Sequence, residues 1–292
     1  MQKRFSTREY TLFAILGLLF ITLLLVMYMI DRQWLKMTEI EQRMNEQAED
    51  LRDMRKSMRK ISKGQIVQSS DTVPQSDLPV SFRRAYEASQ LPNYSEGDWL
   101  VQAFASGIKT LTPLVSTDRY ASDIQSKVLE TLLTYDPDTL ELVGHIAKSW
   151  TISDDGLTIT YKMRDDVTFS DGEKLTAHDV EFSYDFAMNE DIAAPRQRAY
   201  YKKIKSVKAL DDYTVQFIFI ESYYNSLLMS GVMEIMPRHF YKKYLKTPDK
   251  YNESKGILLG SGPFRLKDPI NWTPDKGIVE LIRNERYWGP VT

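Results

Sequence analysis

The sequence predicts a mixed α/β fold of the α+β class, preceded by a transmembrane helix and a coiled-coil stalk. Three observations carry this expectation. Residues 11–30, TLFAILGLLFITLLLVMYMI, hold no charge. Apolar residues then recur with heptad spacing through residues 31–62. From about residue 97 onward, stretches that alternate apolar and polar side chains every second position are interleaved with stretches of helical period.

The apolar run comes first. A helix of 20 residues rises about 30 Å, the thickness of the hydrocarbon core, so residues 11–30 read as a membrane span. The rival is a cleavable signal peptide, because Lys3, Arg4 and Arg8 precede the run. The run is longer than a signal core, and DRQWLKM follows where cleavage requires small residues, so the uncleaved anchor is preferred. Lys3, Arg4 and Arg8 on one side face Arg32, Lys36 and Arg43 on the other, a near balance from which charge alone does not set the orientation.

Next, Met37, Met44, Leu51 and Met58 share one heptad position, and Ile40, Met54 and Ile61 share the other, with Gln47 interrupting. Charges of both signs fill the remaining positions, as a coiled coil requires. A single amphipathic helix resting on the globular part is the alternative; the coiled coil would make the chain a homo-oligomer. A polar stretch with Gly, Ser and Pro, SKGQIVQSSDTVPQSDLPVS (62–81), follows and reads as linker, which is assigned to residues 63–96.

In the globular part, DWLVQAF (98–104) reads as a strand, and Ile124, Val128, Leu129, Leu132 and Leu133 as one face of a helix. Leu157, Ile159, Tyr161, Met163, Val167 and Phe169 alternate with polar residues, the pattern of a half-buried hairpin, and Tyr213, Val215, Phe217 and Phe219 repeat it after Asp211 and Asp212. A short helix near 223–229, another after Pro237, and strands around Phe264 and 278–282 complete the reading.

Several chemistries are excluded or disfavoured. The chain has no cysteine, which rules out disulfides, thiolate metal sites and cysteine nucleophiles. Its net charge is -2 with signs interspersed, so it lacks the basic face that nucleic acid demands. His145, His178 and His239 are far apart, without the spacing of a helical zinc pair. Ser261 lies between glycines in GSGPF, but Pro263 breaks the nucleophile-elbow pattern. Residues 153–180 carry seven carboxylates, yet none of the spacings is that of a calcium loop. Asp155-Gly156 and Asp171-Gly172 read as turns, and Asp179 as the reciprocal cap of a helix opened by Thr176. No enzyme, metal or cofactor is expected. The aromatic content, with 17 Tyr, 12 Phe and 5 Trp, suits a core with some surface left for a mixed polar and apolar ligand.

Motifs in residues 97–289 resemble the extracytoplasmic solute-binding proteins of peptide and nickel ABC importers, the family 5 or oligopeptide-binding type. They are KTLTPL at 109–114, ETLLTYDPDT at 130–139, residues 146–185, VKALDDYTVQFIF at 207–219, GSGPFRL at 260–266 and RNERYWG at 283–289. The resemblance implies a periplasmic-binding-protein-like type II lobe formed by residues 97–134 and 221–292, with a small β-rich accessory domain at 135–220. Residues 1–10 are then a flank before the anchor. It further implies an extracytoplasmic globular part on a single-pass cell-membrane anchor, a peptide or similar small solute as ligand, and ABC permease subunits as partners. The family's ligand-contacting segment follows the LTPL motif and maps here onto Thr117, Arg119 and Tyr120. Full members continue past RN-x-x-YWG into a second lobe, so the expectation is an N-terminal portion carrying one jaw of the cleft. The alternative is an anchored, oligomerising interaction or sensor subunit that uses the lobe as a docking platform.

Overall fold

The computed structural model describes residues 79–95, 97 and 99–290. The expected span at 11–30, the heptads at 31–62 and most of the linker lie outside these residues. Among the described residues, no helix is long and apolar enough to cross a membrane.

A 3-10 turn, Val80–Phe82, leads into α1 (Arg83–Ser89). This helical stretch stands inside residues expected to be linker; Phe82, its one buried side chain, supplies the anchoring that composition alone does not reveal. Then come α2 (Arg119–Val128), the antiparallel pair β1 (Leu133–Tyr135) and β2 (Leu142–Gly144), and strands β3 (Ala147–Ile152) and β4 (Thr158–Met163). Helices α3 (Ala177–Met188) and α4 (Pro195–Tyr201) precede β5 (Ile204–Asp211) and β6 (Thr214–Phe219). Short helices α5 (Ser226–Gly231), α6 (Arg238–Tyr241) and α7 (Pro248–Asn252) follow, and β7 (Phe264–Leu266) pairs antiparallel with β8 (Leu281–Arg283).

The main sheet is antiparallel with strand order β3-β4-β6-β5. Its register sets Trp150 opposite Tyr161 and Tyr161 opposite Val215, so the buried side chains of β4 and β6 share one face. That face carries Ile159, Tyr161, Val215 and Phe217, all without solvent exposure. It forms one core with α3 residues Val180 and Phe186 and with Met229, Met236, Tyr241 and Tyr251 beyond the sheet. The hairpin turn has Gly156 at φ 69°, as the Asp-Gly pair predicts, and Gly172 sits at φ 99°. A second, smaller core joins Leu111, Ile124, Val128 and Leu129 to Leu258, Leu266 and Trp272.

Three expectations need correction. Residues 99–104 form no strand: Trp99 and Leu100 are 82% and 90% exposed, and a strand without a hydrogen-bonded neighbour has nothing to hold it extended. Helix α2 stops at Val128 because Leu129 turns to an extended backbone, φ -100° and ψ 142°; Leu132 and Leu133 are buried from outside the helix. The helix expected near 223–229 begins three residues later, at Ser226.

Candidate functional site

The LTPL stretch is held on all sides by backbone and side-chain bonds. Leu111 N–H donates to Lys255 O at 2.7 Å, and Gln125 Nε2 donates to Leu111 O at 3.0 Å. The buried Tyr251 hydroxyl donates to Pro113 O at 2.7 Å, while Thr112 Oγ1 meets Ser254 Oγ at 2.8 Å. Leu114 takes φ 65°, a left-handed conformation that a branched residue rarely adopts. Val115 and Ser116 then close tight turns onto Pro113 and Thr112. Asp118 is the cap of α2, its carboxylate accepting from Tyr120 N at 2.7 Å.

This rigid turn displays two of the three predicted contacts. Thr117, just before the cap, and Arg119, the first residue of α2, are exposed, whereas Tyr120 is half-buried, its ring 4.8 Å from that of Phe104. The arrangement can offer a hydroxyl and a guanidinium to a polar ligand from a fixed backbone, with an aromatic edge beside them. None of the three lines the cavity of about 160 Å³ bounded by Ser170, Asp171, Leu258, Leu259, Arg265, Leu266 and Pro269. That cavity is smaller than the roughly 300 Å³ at which ligand pockets begin.

Other chemistry-bearing residues have structural duties. Asp155 accepts from Ser153 Oγ and Leu157 N in its turn, and these bonds hold its carboxyl below the usual range. Asp179 does more than cap α3. Its Oδ2 accepts from Thr176 N at 2.9 Å and its Oδ1 from Arg238 N at 2.8 Å, tying α3 to the start of α6. Asp171 pairs with His239 at 2.6 Å, and His178 lies 3.6 Å from Asp212. Ser261 is fully buried. Its neighbours Gly260 and Gly262 press on the end of α2, where a methyl group on either would collide with the Val128 or Lys127 carbonyl. Among the described residues, no group of three His, Asp or Glu could share a metal ion.

One buried cluster escaped the sequence reading. Glu130, 4% exposed, accepts from Trp288 Nε1 at 3.0 and 3.1 Å and lies 2.9 Å from His145 Nε2. Burial, and after it the Glu130 carboxylate, pushes the Tyr287 phenol up. Ser81 Oγ stands 3.2 Å from His145 Nδ1, so serine, imidazole and carboxylate are in line. Yet the imidazole packs against Phe82 at 5.4 Å and Trp288 at 5.2 Å, and Glu130 is shared with the indole, so the ring is held rather than offered to a substrate. The available signal was a lone glutamate amid the apolar VLETLL.

Residues 141–292, just over half of the chain, match the bacterial extracellular solute-binding proteins, family 5 (middle). The oligopeptide-binding protein SarA of Streptococcus gordonii is 30% identical over 206 residues, 62% of this chain and 29% of that protein. AppA of Bacillus subtilis, also named an oligopeptide-binding protein, is 33% identical over 179 residues, covering 60% and 32% respectively. Among solved structures, the periplasmic binding protein DppA of Helicobacter pylori, in complex with the peptide STSA, superimposes with a TM-score of 0.51 at 28% identity, covering 63% of this chain and 39% of that one. The chain thus spans about a third of the length of the curated relatives it matches.

Proposed function

The chain belongs to the bacterial extracellular solute-binding proteins of family 5, and on that footing we propose that it is a membrane-anchored, non-catalytic solute-binding component of an ABC importer for peptides or similar solutes. The observation that carries this reading is the match over residues 141–292, joined by relatives named for oligopeptide binding. Residues 11–30 are the anchor, the heptads are an oligomerising stalk, and the globular part stands outside the cytoplasm facing permease subunits. Residues 97–134 and 221–292 act as the ligand lobe, with 135–220 as its accessory domain.

Thr117, Arg119 and Tyr120 make the solute contacts. The rigid LTPL turn supports this assignment, because a contact held by a fixed backbone loses little conformational freedom on binding. An exposed guanidinium at the start of α2 suits a carboxylate, which every peptide carries at its C-terminus.

Calorimetric titration of a mixed pool of short peptides into the full chain in detergent tests the proposal. Binding is expected, with Arg119→Ala weakening it about tenfold or more, the worth of a charged hydrogen bond. Absence of heat across the whole pool would remove the peptide reading.

A further inference from the structure

The chain enters the lobe through a plug. Of residues 80–89 only Phe82 is buried, at 9% exposure, and it is surrounded by aromatic rings. Trp288 lies 4.8 Å from it, His145 5.4 Å and Tyr287 6.0 Å, all edge-on, the favoured arrangement for ring pairs. Gly289 closes the socket: a Cβ there would stand 2.5 Å from Phe82 Cζ. The socket walls are themselves fixed. Glu130 holds His145 and Trp288 in place, and the Arg164 guanidinium lies 4.4 Å above the Trp288 ring.

Beside the plug, Ser81 reaches His145 Nδ1. The opposite ring nitrogen, His145 Nε2, lies 2.9 Å from Glu130 Oε1, so the imidazole bridges the serine and the buried carboxylate. Phe82 N–H closes the turn onto Pro79 O at 3.0 Å. Charge contacts add to this: Arg84 and Asp138 form an exposed pair at 3.9 Å, which contributes little, and Arg83 acts on Asp136. Ser81 and Phe82 supply the buried part of the attachment.

We propose that residues 80–89 are a docked neck, in which Ser81 and Phe82 seat the incoming chain in a socket of Glu130, His145, Tyr287, Trp288 and Gly289. The neck thereby ties the chain at residues 80–89 to β2 and to the 284–290 turn. This holds whether or not the chain binds a solute.

Limited trypsin digestion of the full chain in detergent micelles tests it. Arg83 and Arg84 are exposed but helical, and cleavage after them requires the neck to undock. Phe82→Ala empties the plug, and Gly289→Ala fills the socket while leaving the neck sequence intact. Either change is expected to accelerate cleavage after Arg83 and Arg84 by about tenfold or more, with cleavage after Lys162 in β4 unchanged. Selective acceleration in either variant supports the docked neck. If neither variant accelerates cleavage selectively, because the rates stay put or rise in step at Lys162, the neck is not a separable docked element and the proposal falls.

Discussion

Tyr161 fastens the main sheet to the layer beyond it, and removing its hydroxyl isolates that bond. The side chain is fully buried in β4, and its hydroxyl meets Ser230 Oγ of α5 at 2.7 Å. Ser230 also donates to Ser226 O at 2.8 Å, so Tyr161→Phe leaves the serine proton satisfied. The loss is then one neutral hydrogen bond, about 1 kcal/mol, without the further penalty of a stranded buried donor. Tyr161→Ala instead leaves a cavity in the core and costs about 3–5 kcal/mol. Ser230→Ala removes the same contact from the other side, so the double variant Tyr161→Phe, Ser230→Ala should be less destabilised than the sum of the two singles by about 0.5 kcal/mol or more. Urea unfolding of each variant, followed by circular dichroism, reads these differences as midpoint shifts. A neutral Tyr161→Phe together with strict additivity in the cycle would show that the hydroxyl pair does not join the sheet to α5.

Two further outcomes follow from the buried polar groups. Burial pushes the phenols of Tyr161, Tyr201, Tyr241 and Tyr251 up. In the unfolded chain they lose their protons near pH 10, so their contribution is fully present below that pH and erodes above it as the unfolded state alone ionises, by about 1.4 kcal/mol per pH unit for each phenol. The urea midpoint should therefore fall steeply between about pH 10 and 11; a midpoint flat across that window contradicts the burial of these tyrosines. Asp179→Ala removes acceptors for both Thr176 N and Arg238 N, and should cost about 2–3 kcal/mol, with Asp179→Glu failing to restore it because the longer carboxylate misses one of the two donors. Thermal unfolding monitored by circular dichroism checks this, and a change below about 0.5 kcal/mol would mean that the bridge from α3 to α6 carries no load.

Much of the sheet was legible because its signals are local. Alternation along 157–163 and 213–219 marks β4 and β6, Asp155-Gly156 marks the turn from β3 into β4, and Thr176 with Asp179 marks the start of α3. What escaped depends on partners distant in sequence. Residues 99–104 have the composition of a strand, but pairing makes a strand, and no neighbour pairs with them among the described residues. His145 looked like an isolated histidine until residues 81, 82, 130 and 288 converged on it. Asp179 showed its cap, which lies three residues away, and hid its bond to Arg238, which lies fifty-nine away. Arg119 and Tyr120 are ordinary first-turn residues by pattern, and their selection came from the family resemblance alone.

Photo-crosslinking tests most directly the proposal that the turn after LTPL touches solute. With p-benzoylphenylalanine in place of Thr117 in the full chain, irradiation in the presence of a labelled short-peptide pool should yield a covalent adduct that excess unlabelled peptide suppresses. The same probe at Lys162, on the exposed side of β4, should yield none. Equal capture from both positions, or none from position 117, would contradict the assignment of Thr117, Arg119 and Tyr120 to a solute site.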